Sequence, residues 1–81
     1  MDIKGSVRTF ITKNFYVANA NALTDEISFL DTGIIDSTSV LELTAFLEET
    51  FKIQVADDEL LPENLDSLSA VEAFVTRKLK A

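Results

Sequence analysis

Eighty-one residues without one cysteine or histidine leave this chain a single way to hold itself together. No disulfide can staple it and no ordinary zinc site can form, so packed apolar side chains have to supply the stability. The material is present: 47% of the residues are hydrophobic and six are Phe, too many for a wholly disordered chain. A chain this short has room for one modest core, and residues 1–81 are read as a single domain. With that core built from aliphatic and Phe side chains alone, helices are expected.

The apolar spacing bears on where they fall. Ile3, Val7, Phe10, Ile11 and Phe15 form one stripe of an amphipathic helix predicted from about residue 2 to about residue 18. Asn14, Asn19 and Asn21 signal its end. From Asn19 to Asp36 the period is lost, with Leu23, Ile27, Phe29 and Leu30 as anchors and Thr24-Asp25-Glu26 able to open one short turn of helix. Long irregular connections in compact domains are commonly functional. The second long helix is predicted from Ser37 to about Lys52, on the stripe Val40, Leu43, Leu47 and Phe51 with Leu41 and Phe46 at its flanks. Asp57 to Leu61 reads as a short acidic-start helix that Pro62 limits. The last helix begins near Asp66 or Ser67, either of which can cap it, and its stripe is Leu68, Val71, Phe74, Val75 and Leu79. Arg77, Lys78 and Lys80 suit its C-terminal dipole end. Three long helices and one short make an all-α, small four-helix bundle. Gly5 sits inside the first helix with no reason visible in the sequence.

The formal charge of −7 argues against a nucleic-acid partner, because phosphate contacts need clustered Lys and Arg. It favours steered encounters with basic protein surfaces. No apolar run approaches the roughly 20 residues of a membrane span, and Met1-Asp2-Ile3-Lys4-Gly5 lacks the plan of a signal peptide. A cytoplasmic, free-standing monomer is expected, without membrane insertion. Asp57-Asp58-Glu59 lacks the ligand spacing of a calcium loop, and a bundle of this size offers little room for a carboxylate-lined cleft. No metal is expected.

The run Gly33-Ile34-Ile35-Asp36-Ser37-Thr38-Ser39-Val40 sets a hydroxyl at the first turn of the second helix, beside a carboxylate. Read alone, Ser37 is an N-cap; Asp36 competes for that role and, if it caps, leaves the Ser37 hydroxyl outward. As a nucleophile Ser37 would need a general base. Histidine is absent, and Lys4, Lys13, Lys52, Lys78 and Lys80 all occupy solvated pattern positions. The chain is therefore read as no enzyme, with a serine on which something else acts.

The same run, followed by Glu42 and Leu43 at five and six residues beyond Ser37, resembles the phosphopantetheine attachment site of acyl and peptidyl carrier proteins. The likeness continues through Leu47-Glu48-Glu49-Thr50-Phe51 to the final helix. Thr38 stands where that family usually has Leu or Met, and the Gly33-to-Ser37 stretch is one residue longer than in many fatty-acid-type carriers, as in D-alanyl and other aminoacyl carriers. The resemblance implies a 4'-phosphopantetheine from coenzyme A joined to Ser37 by a phosphopantetheinyl transferase, with Asp36 orienting transferase and arm. Its phosphodiester would sit at a helix N-terminus, which favours an anion. The resemblance further implies that Ile34, Ile35, Thr38 and Leu41 touch partner enzymes or cargo, and that Glu42, Glu48 and Glu49 form an acidic recognition face. Those partners would be a loading ligase and downstream transferases or synthases of fatty acid, polyketide or nonribosomal peptide chemistry. The expected function is that of a discrete acyl carrier protein. An aminoacyl carrier is the alternative, and an unmodified acidic helical adaptor is the rival from another class.

Overall fold

The structure, a computed structural model, describes residues 2–15, 23–36 and 38–80. Helix α1 (Ile3–Asn14) is followed by the short α2 (Phe29–Thr32), α3 (Val40–Phe51), a single 3-10 turn (Asp57–Glu59), the short α4 (Pro62–Leu65) and α5 (Leu68–Lys80). There is no strand among the described residues. The three long helices match the expected bundle; three short elements stand where one was expected.

Helix α5 is the hub, with α1, α3 and α4 all packed against it. Its Leu68, Val71, Phe74 and Val75 are buried and share one core with Val7 and Ile11 of α1 and Leu43 and Leu47 of α3. Those are the positions that a 3.6-residue period places on one face. Leu79, expected to extend the stripe, is 45% exposed, one turn past the last buried residue, Val75. A stacked pair, Phe10 on Phe46 with centroids 4.2 Å apart, fastens α1 to α3 beside the core.

Asp2 caps α1, its Oδ1 accepting from the Gly5 N–H at 2.9 Å. A side chain at Gly5 would meet that carboxylate and push it out of the cap. The helix ends at Asn14, earlier than expected: Asn14 Nδ2 donates to the Phe10 carbonyl at 2.9 Å, and Phe15 turns extended. The remainder of the predicted first helix, with Asn19 and Asn21, lies outside the described residues.

The connection into α3 is pinned by polar groups as much as by its buried Leu23, Phe29 and Ile35. Arg8 donates to the Leu23 carbonyl and, at 3.2 Å, to Asp25 Oδ1, while Lys4 Nζ reaches Asp25 Oδ2 at 3.0 Å. The Asp25 hydrogen bond pushes the Lys4 amine above its usual range. From the other side the Ser69 N–H of α5 donates to the Asp25 carbonyl at 2.9 Å. Thr24 to Ile27 forms a turn, and the short helix starts later, at Phe29, capped by Ser28, whose Oγ accepts from the Asp31 N–H at 3.1 Å. Leu30, expected as an anchor, is exposed because Phe29 takes the inward position.

After α3 the chain turns at Lys52 in the left-handed conformation, φ 58°. The short helix expected over Asp57 to Leu61 is only the 3-10 turn, and Pro62 opens α4 instead of merely limiting what precedes it. At the first helical position the missing N–H costs nothing. Glu59 is held below the usual carboxylate range, first by the Ala56 N–H and then by Lys78 of α5. Ser67 caps α5, its Oγ accepting from the Ala70 N–H at 3.1 Å; Asp66, the other candidate, is used elsewhere.

Candidate functional site

Gly33 closes α2 at φ 76°, where residues with a side chain are strained, and its N–H donates to the Leu30 carbonyl at 3.2 Å. The chain then folds back so that the Ile35 N–H reaches the Phe29 carbonyl at 3.2 Å. Ile35 is only 2% exposed. Buried, Ile35 is not open to an enzyme surface, which narrows the expectation that it touches partner enzymes or cargo: it is the apolar plug that fixes where the next residue emerges. Ile34 beside it is half-buried against the core.

Asp36 emerges exposed, and its Oδ1 accepts from the N–H groups of Thr38 at 3.0 Å and Ser39 at 2.7 Å. Its carbonyl accepts from the Val40 N–H at 3.1 Å. Asp36 thus caps the turn that leads into α3, which begins at Val40 rather than at Ser37. The Ser39 N–H, followed by the Ser39 hydroxyl, holds the Asp36 carboxyl below its usual 3.8. Ser37 itself lies outside the described residues; its neighbours Asp36 and Thr38 are both exposed.

A folded-state value below the ordinary one means that the cap stabilises fully above about pH 3.8 and is lost as pH falls through the lower folded value. Asp36→Ala should therefore melt below the parent at pH 7, and the two melting curves should converge as the medium is acidified past that value. A difference that does not shrink as the pH falls below 3.8 would refute this origin of the stabilisation.

The N–H groups of Thr38 and Ser39 are thus already taken by Asp36, and those of Leu41 and Glu42 by the Thr38 and Ser39 carbonyls. An anionic group joined to this turn would feel the helix dipole but would not find these amides free. This narrows the expectation that a helix N-terminus favours the phosphodiester: the dipole remains, while these four amides are occupied. Leu41 is 56% exposed, and Glu42 and Glu49, seven residues apart, share one exposed face of α3. Glu48 does not join them. It is half-buried, and its carboxylate accepts the Val55 N–H at 3.0 Å, a tie within the fold.

Sequence reasoning missed an apolar cleft of about 240 Å³ between α2, the start of α3 and α4. Its deeper wall is Phe29, Ile35 and Leu65, and its rim is the exposed leucines Leu30, Leu41 and Leu61. Ile35 and Val40, on either side of the Asp36 turn, both line it, so the cleft opens beside that turn. The signal in the chain was the pair Leu30 and Leu61, the one three residues before the helix end at Gly33 and the other directly before the helix start at Pro62. Among the described residues no cluster suited to a metal ion occurs, and no helix is long and apolar enough to cross a membrane.

A family model for the phosphopantetheine attachment site matches residues 6–75. The chain is similar to a holo acyl carrier protein from Nitrosomonas europaea, whose solution NMR structure has a TM-score of 0.75 and 26% identity, with 100% of each chain covered. No match is found among curated proteins. The family match embraces the exposed, capped turn at the head of α3 with nearly all of the surrounding bundle. The chain belongs to the phosphopantetheine-attachment family: it is a carrier protein whose cofactor is a covalently held phosphopantetheine, and it is not an enzyme.

Proposed function

We propose that Ser37 is the attachment residue and that the chain is a single-domain, monomeric, cytoplasmic acyl carrier shuttling thioester-bound intermediates between enzymes. The cleft beside the Asp36 turn carries this reading. Its lining is apolar except for Asp66, whose carboxylate is already bonded to Ser28 and Leu30. An acyl chain can enter such a space without leaving a charge unpaired, whereas the ammonium of an aminoacyl cargo would be desolvated there. When attached, the phosphopantetheine supplies the thiol that this cysteine-free chain lacks. Asp36 holds the turn in place for the transferase, and Thr38 and Ile34 flank the arm. Leu41 offers an apolar contact to partner enzymes, while Glu42 and Glu49 steer basic partner surfaces at a chain charge of −7. Glu48 has no part in this face.

The test is intact mass after incubation with coenzyme A, Mg²⁺ and a broad-specificity phosphopantetheinyl transferase. The parent should gain one phosphopantetheine and Ser37→Ala none, with the variant still folded by circular dichroism. No gain on a folded parent would favour the acidic adaptor instead, and equal gain on the variant would move the attachment residue.

A further inference from the structure

Helix α2 has four residues, far too few to persist on local hydrogen bonds. Yet it carries Phe29 and Leu30, one wall of the cleft. Beside the burial of Phe29, what holds it comes from Asp66, at the junction of α4 and α5. The Ser28 hydroxyl donates to Asp66 Oδ2, a contact across 38 residues of sequence. The Leu30 N–H donates to Asp66 Oδ1 at 2.9 Å, and the Phe29 N–H to the Asp66 carbonyl at 2.8 Å. The same Ser28 hydroxyl accepts from Asp31, so the bond to Asp66 and the cap of α2 share one oxygen. Asp66 is in turn fixed at the end of α4, its own N–H donating to the Pro62 carbonyl at 2.9 Å. It is therefore tied both to α2 and to the helix on the facing side of the cleft.

We infer that Asp66 is the latch of this cleft: its carboxylate holds α2 in place as a wall, and loss of those bonds frees α2 to swing away and open the cleft. Asp66 is a positioning residue, acting on whatever the cleft holds through Phe29 and Leu30. That the occupant is an acyl chain rests on the carrier reading; the latch itself does not. The consequence for a carrier is that retention of cargo depends on a polar tie outside the apolar lining. A partner that engages Asp66 or Ser28 would unlatch the wall without entering the cleft.

The test uses the unmodified full chain and two variants, Asp66→Ala and Asp66→Asn. Amide exchange by NMR is read at Thr32, Gly33 and Ile35, whose acceptors are the carbonyls of Ser28, Leu30 and Phe29 and not Asp66. In Asp66→Ala these three should exchange about tenfold faster or more, what the loss of one net hydrogen bond produces. Amides within α1, α3 and α5 should hold their rates. Titration with 1-hexanol, followed at the methyls of Ile35 and Leu61, should show weakened binding. Asp66→Asn keeps an oxygen for Leu30 and should restore both readouts. Faster exchange at Leu30 alone, a uniform rise over all helices, or unchanged hexanol binding would each overturn the latch. None of these readouts involves Ser37, so a failed modification experiment and a failed latch remain distinguishable.

Discussion

Phe74→Ala should leave the bundle close to unfolding. Truncating a buried Phe costs about 3–5 kcal/mol through lost burial and the cavity left behind. Domains have about 0.05–0.15 kcal/mol of stability per residue, so for 81 residues the loss is comparable with the whole. The site should lie at the upper end of that range. Phe74 is 1% exposed on α5, the helix against which α1, α3 and α4 all pack, so a cavity there is shared by several elements. Its neighbours in the stripe, Val71 and Val75, are stiff at χ1 and cannot lean into the space. Arg77 and Lys78 also lose a ring that lies 5.9 and 6.0 Å from their charged groups. In urea denaturation followed by circular dichroism, the midpoint should fall steeply with little change in slope. Leu79→Ala, on the same helix but half in solvent, should stay within about 0.5 kcal/mol of the parent. A Phe74 loss below about 1 kcal/mol would mean that α5 is not the hub.

The three long helices were legible because a 3.6-residue period writes burial directly into the sequence, and Val7, Ile11, Leu43, Leu47, Val71 and Phe74 all face the core. What the period does not carry is the short elements. Helix α2 exists where Ser28 and Asp66 meet, and the turn at Asp25 exists where Lys4, Arg8 and Ser69 converge. Each depends on partners brought together only by the finished fold. Asp66 illustrates the ambiguity: its residue type suits a cap for the helix that follows, yet it bonds to the one far behind it, and Ser67 caps α5. Gly5 looked unmotivated because the carboxylate lying over it belongs to the cap. At the candidate site, the Asp36 turn was foreseeable from capping chemistry. The cleft was not, since it arises where two short helices fail to cover the head of α3.

The adjacent isoleucines are the sharpest instance, because nothing in Ile34-Ile35 tells which one turns inward. Burial makes the answer measurable through a contrast with Leu41. Ile35→Ala should lose about 2–5 kcal/mol, as expected for a fully buried aliphatic, since Ile35 is 2% exposed and lies in the core. Leu41→Ala should stay within about 0.5 kcal/mol, since most of that side chain is already in water. The functional effects should run the opposite way with partner enzymes. On the carrier reading, Leu41→Ala raises the KM of an enzyme that must dock on α3, while its own fold is intact. Ile35→Ala acts earlier, by loosening the segment from which Asp36 projects, so that transferase modification slows in proportion to the stability lost and recovers at lower temperature. Urea midpoints together with transferase kcat/KM for the two variants separate these roles. Equal stability losses would return Ile35 to the surface, and a Leu41 variant handled normally by every partner would remove α3's leucine from recognition, leaving its acidic face to carry it alone.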